Sequence, residues 1–324
     1  MGHLLGFILE KKCKKGRVQK GETAMTLHEK IRDLAKKKNA LILAHNYQSG
    51  EIQDVADYVG DSLELARVAA KNSAEIIVFC GVHFMAESAY ILSPSKKVIL
   101  PDITAGCPMA DMVTAEALRK RKAELPHAKV VTYINSPADA KAESDVICTS
   151  SNAVDIVKAV DADEILFVPD RNLGSWVSRF TSKKIHLWDG CCPIHALITK
   201  EEVLRVKDDH PDALLMVHPE CSPEVIDLAD EVLSTGGMVK FVQTTDRKKI
   251  IVGTESGMIH KLRKANPSIE YYIASDNFVC RNMKKTTLEK VYAALESETP
   301  VVTVDEAVAA KARRALDRML ELSR

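Results

Sequence analysis

The sequence predicts an α/β fold: three homologous αβα domains with short parallel sheets, arranged with pseudo-threefold symmetry around a central active site. Three observations predict it. Apolar runs of four or five residues alternate with amphipathic stretches of helical length, the pattern of buried parallel strands joined by helices. A motif of strand, polar residue, helix and hydroxyl recurs three times along the chain. A cysteine follows each copy at a nearly constant distance.

The opening stretch, residues 1–22, places a short apolar run before a basic one. A secretory signal has its charges first and a small-residue cleavage site after, so this stretch reads as an extension with a solvated Lys-rich tail. Cys13 within it has no assigned role. The first unit, 23–106, carries strands at "LILA" (41–44), "EIIVF" (75–79) and "KVIL" (97–100), with "LELARVAAKN" as a helix between. The second, 107–191, carries "VVTY" (130–133), "EILFV" (164–168) and "KIHL" (184–187), with the helix "AVDIVKAVD". The third, 192–324, carries "LLMV" (214–217), "KIIVG" (249–253) and "EYYIA" (270–274), followed by C-terminal helices.

The copies align on three residues at strand ends. His45 to Ser62, Tyr133 to Ser150 and His218 to Thr235 each span 17 positions. Another strand ends 18 positions after each hydroxyl, at Cys80, Val168 and Gly253. Ligands of α/β sheets bind beyond the carboxyl ends of the strands, so these polar groups are expected to line one shared site. Counting on from His45, Tyr133 and His218, a cysteine follows after 62, 59 and 62 positions, at Cys107, Cys192 and Cys280. In "WDGCCPIH" the repeated position is therefore Cys192, and Cys191 is its incidental neighbour. Three converging thiols could be buried free cysteines, the reading for Cys80 and Cys148 within apolar runs. The repeat argues against that reading at Cys107, Cys192 and Cys280, which could bind zinc or an iron–sulfur cluster held by three thiolates. No CxxC occurs, which disfavours a zinc ribbon.

Composition narrows the function classes. Lys+Arg and Asp+Glu both number 45, which leaves no basic footprint for nucleic acid. No apolar run approaches the roughly 20 residues that cross a bilayer. Eight cysteines without an export signal suggest a reducing cytoplasm, where clustered cysteines serve metals or catalysis.

Many uncommon motifs then occur together: "LAHNYQ" (43–48), "DYVGDSLELA" (57–66), "GCPMADMV" (106–113), "YINSPADAKAESDVICTSSNAV" (133–154), "PDRNLG" (169–174), "CPIH" (192–195), "VHPEC" (217–221), "STGGM" (234–238), "GTESGMIHKL" (253–262) and "CRNMKKTTL" (280–288). In this order they resemble the quinolinate synthases of NAD biosynthesis, from about residue 25 to the C-terminus. The resemblance implies one [4Fe–4S] cluster per chain on Cys107, Cys192 and Cys280. It implies condensation of iminosuccinate with dihydroxyacetone phosphate to quinolinate, phosphate and water. It carries substrate contacts onto His45, Ser62, Tyr133, Asn135, Ser150, His218, Glu220 and Thr235, and catalytic roles onto Tyr47, Glu220 and His195. A transient contact with L-aspartate oxidase would follow. Near the third cysteine, "NFVCRNMKK" has only Cys280, so a local disulfide is not expected. Glu220 could instead be a helix-start carboxylate, and "GTESGMIHKL" a phosphate-cradling turn. The rival functions are an iron–sulfur hydro-lyase on another dicarboxylate and a non-catalytic redox sensor. The sensor would need an output module, and none is recognisable.

Overall fold

The computed structural model describes residues 25–323; the expected extension and Cys13 lie outside the described residues. Twelve parallel strands form three four-stranded sheets. The first sheet comprises β1 (Ala40–His45), β2 (Tyr58–Gly60), β3 (Ile76–Cys80) and β4 (Lys97–Ile99). The second comprises β5 (Ala128–Tyr133), β6 (Val146–Cys148), β7 (Glu164–Val168) and β8 (Lys184–Leu187). The third comprises β9 (Leu214–Val217), β10 (Glu231–Val232), β11 (Lys249–Gly253) and β12 (Glu270–Ile273). The orders are β2-β1-β3-β4, β6-β5-β7-β8 and β10-β9-β11-β12, the same in every sheet. The α/β class expected from the sequence is the class observed.

Nine strands coincide with the apolar runs. The three that do not, β2, β6 and β10, are only two or three residues long, too short for any periodicity. A repeated acid sets them in place. The N–H groups of Ile42, Val130 and Leu215 donate to Asp57, Asp145 and Asp230 at 2.8, 2.8 and 2.7 Å. The N–H of each acid returns a bond to the same residue's carbonyl, at 2.9, 3.1 and 2.9 Å. Each carboxylate thus closes a two-way bond to the central strand just before the short strand begins.

In each sheet the chain steps from its first strand to one side, then crosses to the other. The first and third strands therefore flank the point where the direction reverses, and their carboxyl ends open a crevice. Helix Ser62–Lys71 starts beside that crevice in the first unit, fixed by a capping box between Asp61 and Glu64. Helix Thr235–Thr244 starts at the equivalent place in the third, capped by Ser234.

The C-terminal helices turn back onto the earlier units. Val291 and Leu295 of helix Leu288–Ser297 pack with Ile31, Ile42 and Val78 around the first sheet. Residues 300–302 run along β4, with Leu100 N–H donating to Pro300 O at 3.2 Å and Val302 N–H to Val98 O at 2.8 Å. The last helix, Glu306–Leu322, buries Ala312, Ala315, Leu316 and Met319 in a core shared by the first and second units. Burial of one such leucine or methionine contributes about 1.5–3 kcal/mol. Among the described residues no helix is long and apolar enough to cross a membrane.

Candidate active site

The site is built at an offset of two residues from three strand ends. His45 ends β1, and Tyr47 N–H donates to its Nδ1 at 3.2 Å. His218 follows β9, and Glu220 N–H donates to its Nδ1 at 3.3 Å. The same turn therefore aims Tyr47 and Glu220 inward. In the second unit Tyr133 ends β5, the Ser136 hydroxyl donates to its carbonyl at 2.9 Å, and Asn135 takes the equivalent place.

A cavity of about 260 Å³ lies between the three units. All thirteen residues singled out in the sequence line it: the three at strand ends, the three beyond them, the hydroxyls Ser62, Ser150 and Thr235, the cysteines 107, 192 and 280, and His195. Cys191, half-buried, is not among the lining residues. Cys80, Cys148 and Cys221 are fully buried in the hydrophobic cores.

One polar chain crosses the cavity. His195 Nδ1 lies 2.8 Å from Glu220 Oε2 and 3.2 Å from Cys192 Sγ. Its Nε2 lies 2.9 Å from Thr254 Oγ1, which in turn lies 2.7 Å from the Tyr47 hydroxyl. His218 Nε2 reaches Ser150 Oγ at 3.1 Å, Asn46 Nδ2 donates to Thr235 Oγ1 at 3.0 Å, and Asn172 Nδ2 donates to the Glu220 carbonyl at 2.9 Å. These three bonds join residues of different units directly.

Burial sets the charge states. It pushes His45 down to about 4 and His218 down to about 3, so both rings are neutral at neutral pH. Burial also opposes the Glu220 charge. The imidazoles of His218 and His195, with hydrogen bonds from His195 and Tyr133, outweigh it and hold the carboxyl down at about 2. Because His218 loses its own proton above about 3, we attribute the Glu220 anion at neutral pH to the hydrogen bonds from His195 and Tyr133 rather than to a cationic His218. Burial, then the nearby Glu220 charge, raises both Tyr47 and Tyr133 well above the ordinary phenol range. The result is a buried Glu220 carboxylate that takes hydrogen bonds from His195 and Tyr133, an arrangement able to take and return protons.

Among the described residues all seven cysteines are free thiols. Burial pushes Cys107 up to about 12, with a further rise from Cys280, and it likewise raises Cys192 and Cys280. A metal at these thiols would therefore displace protons on binding. Cys192, His195 and Glu220 also bring a sulfur, a nitrogen and an oxygen within 4.8 Å of one another, close enough for one ion.

Two alternatives raised by the sequence do not match the geometry. Glu220 precedes helix Pro223–Ile226, whose N-cap is Ser222, and it faces His195 rather than the helix start. In the turn at 254–258 the N–H groups of Ser256, Gly257 and Met258 already donate to Phe278 O, Glu255 Oε2 and Glu255 O, so the turn offers no phosphate cradle. Sequence reasoning missed Thr254, Asp170, Glu255 and Lys284. Asp170 and Glu255 stand two residues beyond the ends of β7 and β11, an offset that the repeat alignment already contained.

A family profile described as quinolinate synthetase A protein matches residues 29–321. A quinolinate synthase of Geobacter sp. (strain M21) is 53% identical over 302 residues, covering 93% of this chain and 99% of that one. One from Methanoregula boonei is 53% identical over 301 residues, 93% and 99% of the two chains. One from Dehalococcoides mccartyi (strain CBDB1) is 55% identical over 296 residues, 91% and 98%.

Proposed function

The chain belongs to the quinolinate synthetase A family, and from that premise we propose that it condenses iminosuccinate with dihydroxyacetone phosphate. The products are quinolinate, phosphate and water, and the step serves NAD biosynthesis from aspartate. The observation that carries this reading is the lining of a single cavity by three thiols, the neutral rings of His45 and His218, and the buried Glu220 carboxylate.

The cofactor assigned to the site is one [4Fe–4S] cluster on Cys107, Cys192 and Cys280. Three half-buried free thiols on one cavity suit a cluster that keeps one iron without a protein ligand. When bound, the cluster supplies a Lewis acid for the loss of water. A single ion on Cys192, His195 and Glu220 is disfavoured, because it would occupy the histidine and carboxylate that proton transfer requires.

Iminosuccinate is a dicarboxylate. The hydroxyls of Ser62 and Thr235 at helix starts, with the N–H groups beside them, suit its carboxylates. His45 and His218, as neutral rings, donate hydrogen bonds without adding charge. Ring formation needs protons removed from carbon and returned to departing oxygen. Glu220 is the base, supported by Tyr133 and His195. Tyr47 exchanges its proton through Thr254 with His195. Asn135 and Ser150 complete the polar wall. The units 23–106, 107–191 and 192–324, a cytoplasmic location and transient delivery of iminosuccinate by L-aspartate oxidase belong to the same proposal.

The test is turnover of anaerobically reconstituted protein. Iminosuccinate and dihydroxyacetone phosphate should yield quinolinate and phosphate in equal amounts. Iron-loaded protein that forms no quinolinate sinks the proposal, and water loss from another dicarboxylate would favour a hydro-lyase.

A further inference from the structure

One backbone clasp is common to all three cysteine loops. The N–H of His83 donates to Ala105 O, that of Arg171 to Gly190 O and that of Ser256 to Phe278 O, each at 2.8 Å. In every copy the donor stands three residues beyond β3, β7 or β11, and the acceptor two residues before the cysteine.

The residue preceding each donor breaks the symmetry, being Val82, Asp170 and Glu255 in turn. Asp170 Oδ2 accepts the N–H of Cys192 at 3.0 Å, and Glu255 Oε1 accepts that of Cys280 at 3.0 Å. Val82 has no acceptor to offer Cys107. The remaining oxygens are also engaged. Asp170 Oδ1 takes Leu173 N–H at 2.8 Å, and Glu255 Oε2 takes Gly257 N–H at 2.7 Å. Lys284 Nζ stands 3.0 Å from Glu255 and donates to the Tyr47 carbonyl at 2.5 Å. Both acids are fully buried. Each is a two-pronged brace between a strand end and a cysteine backbone.

We propose that Asp170 and Glu255 are positioning residues that hold the backbones of Cys192 and Cys280 so that their thiols face the cavity, while the N–H of Cys107 has no side-chain acceptor of this kind. This rests on reading the three cysteines as cluster ligands. Partners that orient metal ligands typically change metal affinity by about 10–100-fold when lost.

Three variants separate positioning from folding. Asp170→Asn keeps the size of the side chain but sets an amide NH2 against one of its two N–H partners. Asp170→Ser keeps the helix cap at Leu173 but is too short to reach Cys192. Glu255→Gln makes the equivalent change at Cys280. Each is prepared metal-free, alkylated briefly with iodoacetamide and mapped cysteine by cysteine, then titrated anaerobically with ferrous iron against a chelator. Both Asp170 variants should raise alkylation of Cys192 selectively, and Glu255→Gln that of Cys280, with Cys107 unchanged as the internal reference. Iron affinity should fall by about 10–100-fold. Equal alkylation changes at all three cysteines, no change at any, or undiminished iron affinity would each overturn the proposal. Full iron binding by Cys192→Ser would instead remove the ligand reading, and leaves the alkylation result to be judged separately.

Discussion

At the scale of single residues, the buried rings make acid sensitivity a test of the site. An unfolded imidazole takes its proton near 6.5, whereas His45 does so only near 4 and His218 near 3. Between those values protons favour the unfolded chain. Stability is therefore complete above about 6.5 and lost as pH falls, by a few kcal/mol per ring. Thermal melts of metal-free protein should show this slope, and His45→Gln, which cannot charge, should flatten it; an unchanged slope would mean that the ring is already protonated in the fold. Glu220→Gln preserves shape but removes the proposed base, so iron loading should persist while kcat falls by about 10²–10⁴-fold. The neighbouring thiols give a sharper contrast. Cys191→Ser should keep iron and turnover, and Cys192→Ser should lose both, as measured by iron and sulfide content beside activity. The sequence already held this distinction, because Gly106 and Val279 precede the other two repeated cysteines. It did not hold Thr254, an ordinary threonine whose meaning comes only from its two hydrogen bonds across the cavity.

Among elements, nine strands were legible because each coincides with an apolar run of the sequence. β2, β6 and β10 were not, since the Asp57, Asp145 and Asp230 bonds define them rather than any pattern of their own. Asp145→Ala should leave the Val130 N–H without its acceptor and cost about 1–3 kcal/mol, read as a lower midpoint in urea. The turn at Gly257, raised only as a weak phosphate candidate, has a different reason for its glycine. Its glycine serves close approach, since a Cβ there would stand 2.6 Å from the Gln48 carbonyl and 2.7 Å from that of Tyr47. These are backbone atoms and cannot swing aside. Gly257→Ala should therefore cost about 1–3 kcal/mol and depress kcat by displacing Tyr47. A melting temperature and kcat equal to the parent's would show that the two loops can separate freely.

Taken as a whole, the molecule is less divisible than its repeat suggests. Three sheets of one order imply three separable units, yet the cavity draws on all of them and the last helix is buried between the first two. This crossing was not readable from the sequence, because an amphipathic helix shows which face it buries and not what it buries it against. Truncation before Glu306 would expose the Ala312, Ala315, Leu316 and Met319 contacts of the shared core. The shortened chain should aggregate or bind a hydrophobic dye, and a soluble chain with unaltered melting would contradict that packing.

The same helix has a consequence for the order of events during synthesis. Cys107 leaves the ribosome 280 − 107 = 173 residues ahead of Cys280, a lag of roughly ten to thirty-five seconds at ordinary elongation rates. Throughout that interval the first two sheets lack the segment that covers them, since residues 306–322 emerge later still. A nascent chain therefore holds an incomplete set of thiols until Cys280 is made, and an open apolar seam until residues 306–322 follow. Completion of the thiol set thus precedes closure of the shared core during synthesis, because Cys280 is made before helix Glu306–Leu322.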